Sequence, residues 1–287
     1  MMSIQNGSRM ERMECMEVWG GNQPVDRALH TTGLDVRVYS RPHAVAQRGG
    51  DVYYLSSCAS GRITRLLLAD VSGHGPAVAD LADTLRKLMR RNINYIDQSK
   101  LANAVNREFA AVSTSGAFAT ALIGTYFAPS KTLTIGNAGH PAPLIYRSAS
   151  GAWGLLARRQ DDAREGRNFP LGIEIEQDYS GYKTRLERGD IVVFFTDGLM
   201  DLKLTDGSLL GLEGLLRTAG VIQGPDPDGV LHAFRSIPQF EDSISKSDDV
   251  SIVVISRNDE HVSFRDNALA PFRVIVDIFK RFKTETA

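Results

Sequence analysis

The chain has 287 residues, 43% hydrophobic and 23% charged, and its 33 Lys and Arg against 34 Asp and Glu leave a formal net charge of -1. A chain of this size buries a sizeable core without disulfides, and so even a charge balance gives no footprint for nucleic acid or an anionic membrane surface. The two cysteines, Cys15 and Cys58, are too few for a disulfide framework and lack zinc-site spacing, so a reducing, cytoplasmic setting is expected.

No apolar run reaches the roughly 18 residues of a membrane span, and the Met-rich N-terminus lacks the pattern of a secretory signal. Residues 16–22, with Trp19-Gly20-Gly21, read as a strand or a switch element. Short apolar and β-branched runs predict strands over 51–57, 62–69, 118–127, 132–136, 142–146, 190–195 and 250–255. Helical spacing predicts a helix over 76–91, where Val78, Leu81, Leu85 and Leu88 share a face, and a second over 98–112. Residues 148–168 read as an irregular loop or flap. Further helices are expected over 211–216 and 227–235, the latter after the Gly224-Pro225-Asp226-Pro227 break. In the tail, Phe272, Ile275, Phe279 and Phe282 predict an amphipathic helix over 268–283, packed on its own domain, with a homodimer contact as the sharper alternative and a membrane-surface helix disfavoured by the few basic residues. No repeat or linker divides the chain. Strands, then helices, then strands again point to an α+β class.

The informative residues are aspartates at strand ends. Asp51 opens a strand after Gly49-Gly50, and Asp70 closes the next. If Ser60-Gly61 is a two-residue hairpin loop, Asp51 and Asp70 are direct cross-strand neighbours. Asp197-Gly198 ends another strand, and Asp248-Asp249 begins the strand over 250–255, so an antiparallel pairing brings these together as well. Two carboxylates about 4 Å apart repel by about 4 kcal/mol at an effective dielectric near 20, so stability does not explain the arrangement. Hard divalent cations, Mg²⁺ or Mn²⁺, resolve the conflict, because two of them carry +4 against four carboxylates. Each aspartate alone also reads as a turn residue or a strand cap. Their coincidence beside Gly49, Gly50, Gly73, Gly75 and Gly198 is what suggests a two-metal site.

At these residues the sequence resembles the metal-dependent PPM-type (type-2C-like) serine/threonine protein phosphatases, in the bacterial subgroup typified by stage II sporulation protein E. The matching blocks are Gly49-Gly50-Asp51-Val52-Tyr53, Ala69-Asp70-Val71-Ser72-Gly73-His74-Gly75, Asn137-Ala138-Gly139-His140-Pro141, Pro170-Leu171-Gly172, Thr196-Asp197-Gly198-Leu199 and Ser247-Asp248-Asp249-Val250-Ser251. The resemblance implies an α-β-β-α sandwich of two antiparallel sheets flanked by helix pairs. It places a catalytic domain over 34–257, an N-terminal extension over 1–33 and a C-terminal amphipathic tail over 258–287.

Carried over, the resemblance makes Asp51, Asp70, Asp197 and Asp248 the catalytic metal ligands, with the Val71 backbone carbonyl as a further ligand. Asp249, Asp201 and His74 become supporting groups or ligands of a third ion. His74 and His140 also read as residues that hydrogen-bond their own turns. Two departures stand beside the ligands: Arg48 where the family has a small aliphatic residue, and Val52 in place of an aromatic. Arg37, Arg41 and Arg48 are candidates for a phosphoryl contact, against a surface or ion-pair role for each; the phosphate-binding residues stay unassigned.

The implied activity is hydrolysis of phosphoserine or phosphothreonine by a two-metal-activated water. The implied substrate is a phosphorylated anti-sigma-factor antagonist in a partner-switching pathway. Alternatives are a catalytically silent binding module of the same fold and a two-metal hydrolase of small phosphoesters. A cysteine phosphatase is excluded because six residues beyond Cys58 stands Thr64, with Arg65 one place too far; no phosphate loop and no His-Glu-x-x-His is present.

Overall fold

Alternation along the strands decides the architecture, because each strand presents one apolar row to the facing sheet and another to a helix pair. The structure is a computed structural model that describes residues 10–13, 17–43, 46–58, 61–113, 116–156, 169–174, 177, 179, 181–222, 226–238, 240 and 248–260. The strands are β1 (Glu11–Arg12), β2 (Val18–Gly21), β3 (Val25–Thr31), β4 (Leu34–Arg41), β5 (Asp51–Cys58), β6 (Ile63–Val71) and β7 (Ala119–Phe127). They continue with β8 (Thr132–Ala138), β9 (Leu144–Arg147), β10 (Ala152–Leu155), β11 (Tyr182–Arg185), β12 (Ile191–Phe195) and β13 (Val250–Arg257). One sheet has the order β1-β3-β4-β13-β12-β9-β10 and the other β11-β8-β7-β6-β5-β2. Among the described residues the strands pair antiparallel, apart from the two-residue parallel contact of β1 with β3; a single parallel bridge also joins Ala121 of β7 to Gly139.

The inter-sheet core contains Tyr53 and Leu55 of β5, Leu66 and Leu68 of β6, and Phe194 and Val253 from the other sheet. The opposite rows of β5 and β6, including Val52, Tyr54 and Leu67, pack under α1 (Pro76–Asn92) and α2 (Gln98–Val112). On the other flank, Val193, Phe195, Ile252 and Val254 pack under α3 (Gly211–Gly220) and α4 (Pro227–Arg235). The result is an α-β-β-α sandwich. Helix starts follow capping chemistry: Asp97 accepts from the Lys100 amide at 2.9 Å, and Asp226 accepts from the Asp228 and Gly229 amides at 3.0 Å.

Several expectations need revision. β3 and β4 lie outside the strands expected from the sequence; β3 is interrupted by polar residues, and Arg37 of β4 reaches out to Asp228 of α4. The segment expected to be an irregular loop over 148–168 contains β10, paired with β9; residues 157–168 lie outside the described residues. β2 falls within 16–22, where a strand was one of two readings. Segment 1–33 supplies β1, β2 and β3 to the two sheets. The predicted helix over 268–283 and its dimer alternative lie outside the described residues.

Candidate metal centre

Asp51 and Asp70 are direct cross-strand partners, as the register argument requires. The connection is longer than the expected two residues, since pairing ends at Cys58 opposite Ile63, but it is centred on the same point and leaves the register unchanged. Asp51 shares the strand face of Tyr53 and Leu55, and Asp70 that of Leu66 and Leu68. Both carboxylates therefore point between the two sheets, at one end of the sandwich.

The second pair is placed less directly. Phe195 faces Ile252, so the same register carries Asp197 level with Val250, and Asp248 stands beyond it in the chain. Asp197 and Asp248 thus share an end of the sheet without being cross-strand partners. Gly198 makes this junction close: a Cβ there would lie 2.1 Å from the Asp249 carbonyl oxygen. Asp249 ties the two sheets together. Its Oδ2 accepts from the amides of Gly50 at 2.5 Å and Asp51 at 3.2 Å, and its Oδ1 accepts from the His43 amide at 2.5 Å. That fixes the loop carrying Asp51 and makes Asp249 a positioning group in this structure.

Three further groups shape the site. Thr196 donates its hydroxyl to Asp51 Oδ2 at 2.8 Å and accepts from the Ser251 amide at 2.9 Å. Asn22 donates to the carbonyls of Gly49 at 3.0 Å and Ala79 at 2.8 Å, joining the Asp51 loop to α1. His140 does more than bond its own turn. Its amide and carbonyl are held by Asn137, while its fully buried ring meets the Thr120 hydroxyl at 2.8 Å and the Phe195 carbonyl at 3.0 Å, one sheet to the other. A carbonyl only accepts, so Nε2 donates to Phe195. Motif residues flagged Thr196 and His140; no sequence signal marked Asn22.

His74 is exposed in the loop before α1, and Asp201 is exposed one turn beyond Asp197, whose carbonyl accepts the Asp201 amide at 3.0 Å. Arg48 ion-pairs with Asp80 and Arg37 with Asp228, while Arg41 lies by the Tyr39 hydroxyl on the helix-covered face. The ion-pair role holds for Arg48 and Arg37.

The electrostatics are those of an uncompensated acidic cluster. Burial, then Asp70 and Asp249, hold Asp51 well above the usual carboxylate range, against hydrogen bonds from Ser251 and Thr196 that pull it down. Burial, then Asp197, Asp248 and Asp249, push Asp70 up to about 7. Asp197 is raised by burial and by Asp201. Asp248 is raised by burial and by Asp197 and Asp249, with the Asp249 amide and His43 opposing. No Lys or Arg is among the groups acting on these four.

The donor set fits divalent cations: carboxylate oxygens are the hard ligands these ions take. The backbone fits as well, since Gly50 lies so near the Val71 carbonyl that a Cβ would stand 2.9 Å from its oxygen. Among the described residues no three His, Cys, Asp or Glu side chains are grouped so that they could hold a metal ion as they stand.

The sequence model of the family described as Stage II sporulation protein E (SpoIIE) matches residues 60–258. The phosphoserine phosphatase RsbU of Bacillus subtilis (strain 168) is 25% identical over 177 residues, which cover 61% of this chain and 49% of that protein. The chain thus spans about half the length of this curated relative. The crystal structure of the RsbU and RsbW domains of Rv1364c from Mycobacterium tuberculosis superposes with a TM-score of 0.63 at 23% identity, covering 84% of this chain and 63% of that one. That of RsbX in complex with magnesium gives a TM-score of 0.61 at 14% identity, covering 82% and 100%. These two likenesses show the shared fold.

Proposed function

The chain belongs to the stage II sporulation protein E (SpoIIE) family, and from that premise we propose that it is a metal-dependent protein phosphatase acting on phosphoserine or phosphothreonine. The observation that carries the reading is the Asp51–Asp70 cross-strand pair, aimed into the end of the sandwich where Asp197, Asp248 and Asp249 also act on Asp70. Asp51, Asp70, Asp197, Asp248 and the Val71 carbonyl would hold two ions, Mg²⁺ or Mn²⁺. When bound, such ions supply an activated water for in-line attack on phosphorus and neutralise the developing charge. The chain's own residues prepare the site: Asp249 holds the Gly50-Asp51 loop, Thr196 orients the Asp51 carboxylate, and His140 fixes the end of β12 just before Asp197. Asp201 and His74 are proposed to support a ligand or a third ion.

The proposed substrate is a phosphorylated anti-sigma-factor antagonist in a partner-switching pathway; the relative's name, a phosphoserine phosphatase, supports the phosphoserine part of that reading. We assign catalysis to 34–257, with 1–33 as an extension adding β1, β2 and β3 to the two sheets and 258–287 as an accessory tail that carries any dimer contact. A cytoplasmic setting follows from the cysteine usage; among the described residues no helix is long and apolar enough to cross a membrane. The test is hydrolysis of a phosphoserine protein, a phosphothreonine peptide and nucleotides, with and without Mn²⁺. Metal-dependent release of phosphate from the protein and peptide but not from nucleotides supports the reading. Turnover of nucleotides alone makes the chain a small-phosphoester hydrolase, and binding without turnover makes it a silent module.

A further inference from the structure

Every proposed ligand lies within 34–257, yet the loop that carries Asp51 is held from outside that stretch. β2 runs antiparallel to β5 as far as Gly21, opposite Tyr53, and the chain then bends at Asn22. Strict continuation of the register would set Asn22 opposite Val52; instead its carbonyl accepts from the Gly49 amide at 2.9 Å. Gln23 holds the bend: its side-chain oxygen accepts from the Asn22 amide at 3.1 Å, and its carbonyl accepts from the Tyr53 hydroxyl at 3.3 Å.

Asn22 is only 4% exposed, and burying an amide side chain is costly unless its hydrogen bonds are made. They are made: Nδ2 donates to the Gly49 carbonyl at 3.0 Å and to the Ala79 carbonyl of α1 at 2.8 Å. Both partners are carbonyls, which only accept, so the atom between them is the nitrogen, with both of its hydrogens engaged. Gly49 thus has its amide and its carbonyl bonded to the same residue. The next two amides, of Gly50 and Asp51, are bonded to the Asp249 carboxylate, and the Gly50 carbonyl accepts from the Val71 amide at 3.3 Å. The three residues that end at Asp51 are therefore held from two sides, Asp249 gripping the last two and Asn22 the first.

We propose that Asn22 is a positioning residue for the candidate metal centre: from the N-terminal extension it clamps Gly49 and so sets where the Asp51 carboxylate stands when a cation binds. The proposal rests on the two-ion reading of the site. Asp51 follows Gly49 by two residues, so slack at Gly49 is slack at the ligand, and a ligand that has to be ordered on binding gives up affinity to that ordering. β2 and the bend after it belong to the working site although they carry no ligand.

The test compares Asn22→Ala with Asn92→Ala in the full chain. Asn92 is also a buried amide, donating to the Leu88 carbonyl and to Glu108, but it stands thirteen residues along α1 from Ala79, about 20 Å at about 1.5 Å per residue. Two readouts are taken: Mn²⁺ affinity by calorimetry, and hydrogen exchange of the Gly49, Gly50 and Asp51 amides in the metal-free chain. Asn22→Ala should weaken Mn²⁺ binding about 10-fold or more and speed exchange at all three amides, whereas Asn92→Ala, which only destabilises, should do neither. An Asn22→Ala chain that binds Mn²⁺ no more weakly than Asn92→Ala overturns the proposal. If wild type itself binds no Mn²⁺, the two-ion reading fails, and exchange alone judges Asn22: faster exchange in Asn22→Ala upholds it as the holder of the Asp51 loop, and unchanged exchange overturns it. Should Asn22→Ala fail to fold, Asn22→Ser, whose hydroxyl donates to one carbonyl instead of two, carries the same comparison.

Discussion

Replacing Asp70 by Asn should make the metal-free protein more stable while removing its capacity to bind cations. Asp70 is raised from 3.8 to about 7 in the folded chain. A group whose folded value is raised favours the native state fully below its unfolded value, and that contribution is lost as pH rises through the folded value. Between pH 4 and pH 7 the metal-free protein therefore loses stability. The displacement is about three pH units at about 1.4 kcal/mol each, or about 4 kcal/mol at most. Asparagine is neutral at every pH and avoids this loss, but it fits a carboxylate environment imperfectly, so a gain of about 2 kcal/mol at pH 8 is expected. For a domain of this size that is about 4 to 8 °C in Tm. The assay is thermal unfolding in EDTA at pH 4.5 and pH 8, wild type against Asp70→Asn, repeated with Mn²⁺. The variant should melt higher than wild type at pH 8 but not at pH 4.5, and Mn²⁺ should raise only the wild type. An Asp70→Asn variant that melts at or below wild type at pH 8 would refute the reasoning.

Asp249→Ala removes the acceptor of the His43, Gly50 and Asp51 amides, and Mn²⁺ affinity measured by calorimetry should fall about 10- to 100-fold while the chain stays folded. Gly198→Ala drives a methyl group into the Asp249 carbonyl, and urea unfolding should show a loss of about 1–3 kcal/mol or more. His140→Phe leaves the Phe195 carbonyl and Thr120 hydroxyl unpaired between the sheets, at about 1–3 kcal/mol per group in the same assay. Burial raises Asp190, but the Glu187 and Ser148 amides, Arg147 and the Ser148 hydroxyl outweigh it and hold the carboxyl below its usual range. Its contribution is present above the unfolded value and lost as pH falls, so the stability gap between wild type and Asp190→Asn should shrink from pH 6 to pH 3; a gap that widens would contradict this.

The site was more legible in the sequence than the periphery of the sheets. Asp51 and Asp70 could be paired by counting because hairpin register depends only on where the turn is centred, so a longer loop left the pairing intact. Asp197 and Asp248 could not, since more than fifty residues separate their strands and no local turn sets the register. The roles of Thr196, Asn22 and His140 depend on contacts between distant segments, such as His140 with Phe195, that no spacing reports. β3 is not legible in the sequence because its exposed positions carry Asp26 and Arg27, which blur the alternation that marks a strand. The helices over 98–112 and 227–235 were placed to the residue, each beginning beside a capping Asp.

The central claim is that the carboxylates at the end of the sandwich hold divalent cations for phosphoprotein hydrolysis. The most direct measurement is titration of the metal-free chain with Mn²⁺ by calorimetry, alongside p-nitrophenyl phosphate turnover, for wild type, Asp70→Ala and Asp197→Ala. Two ions bound by wild type, with binding and turnover both lost in the variants, is the predicted result. Turnover that is indifferent to Mn²⁺, or Mn²⁺ binding that survives both substitutions, would contradict it.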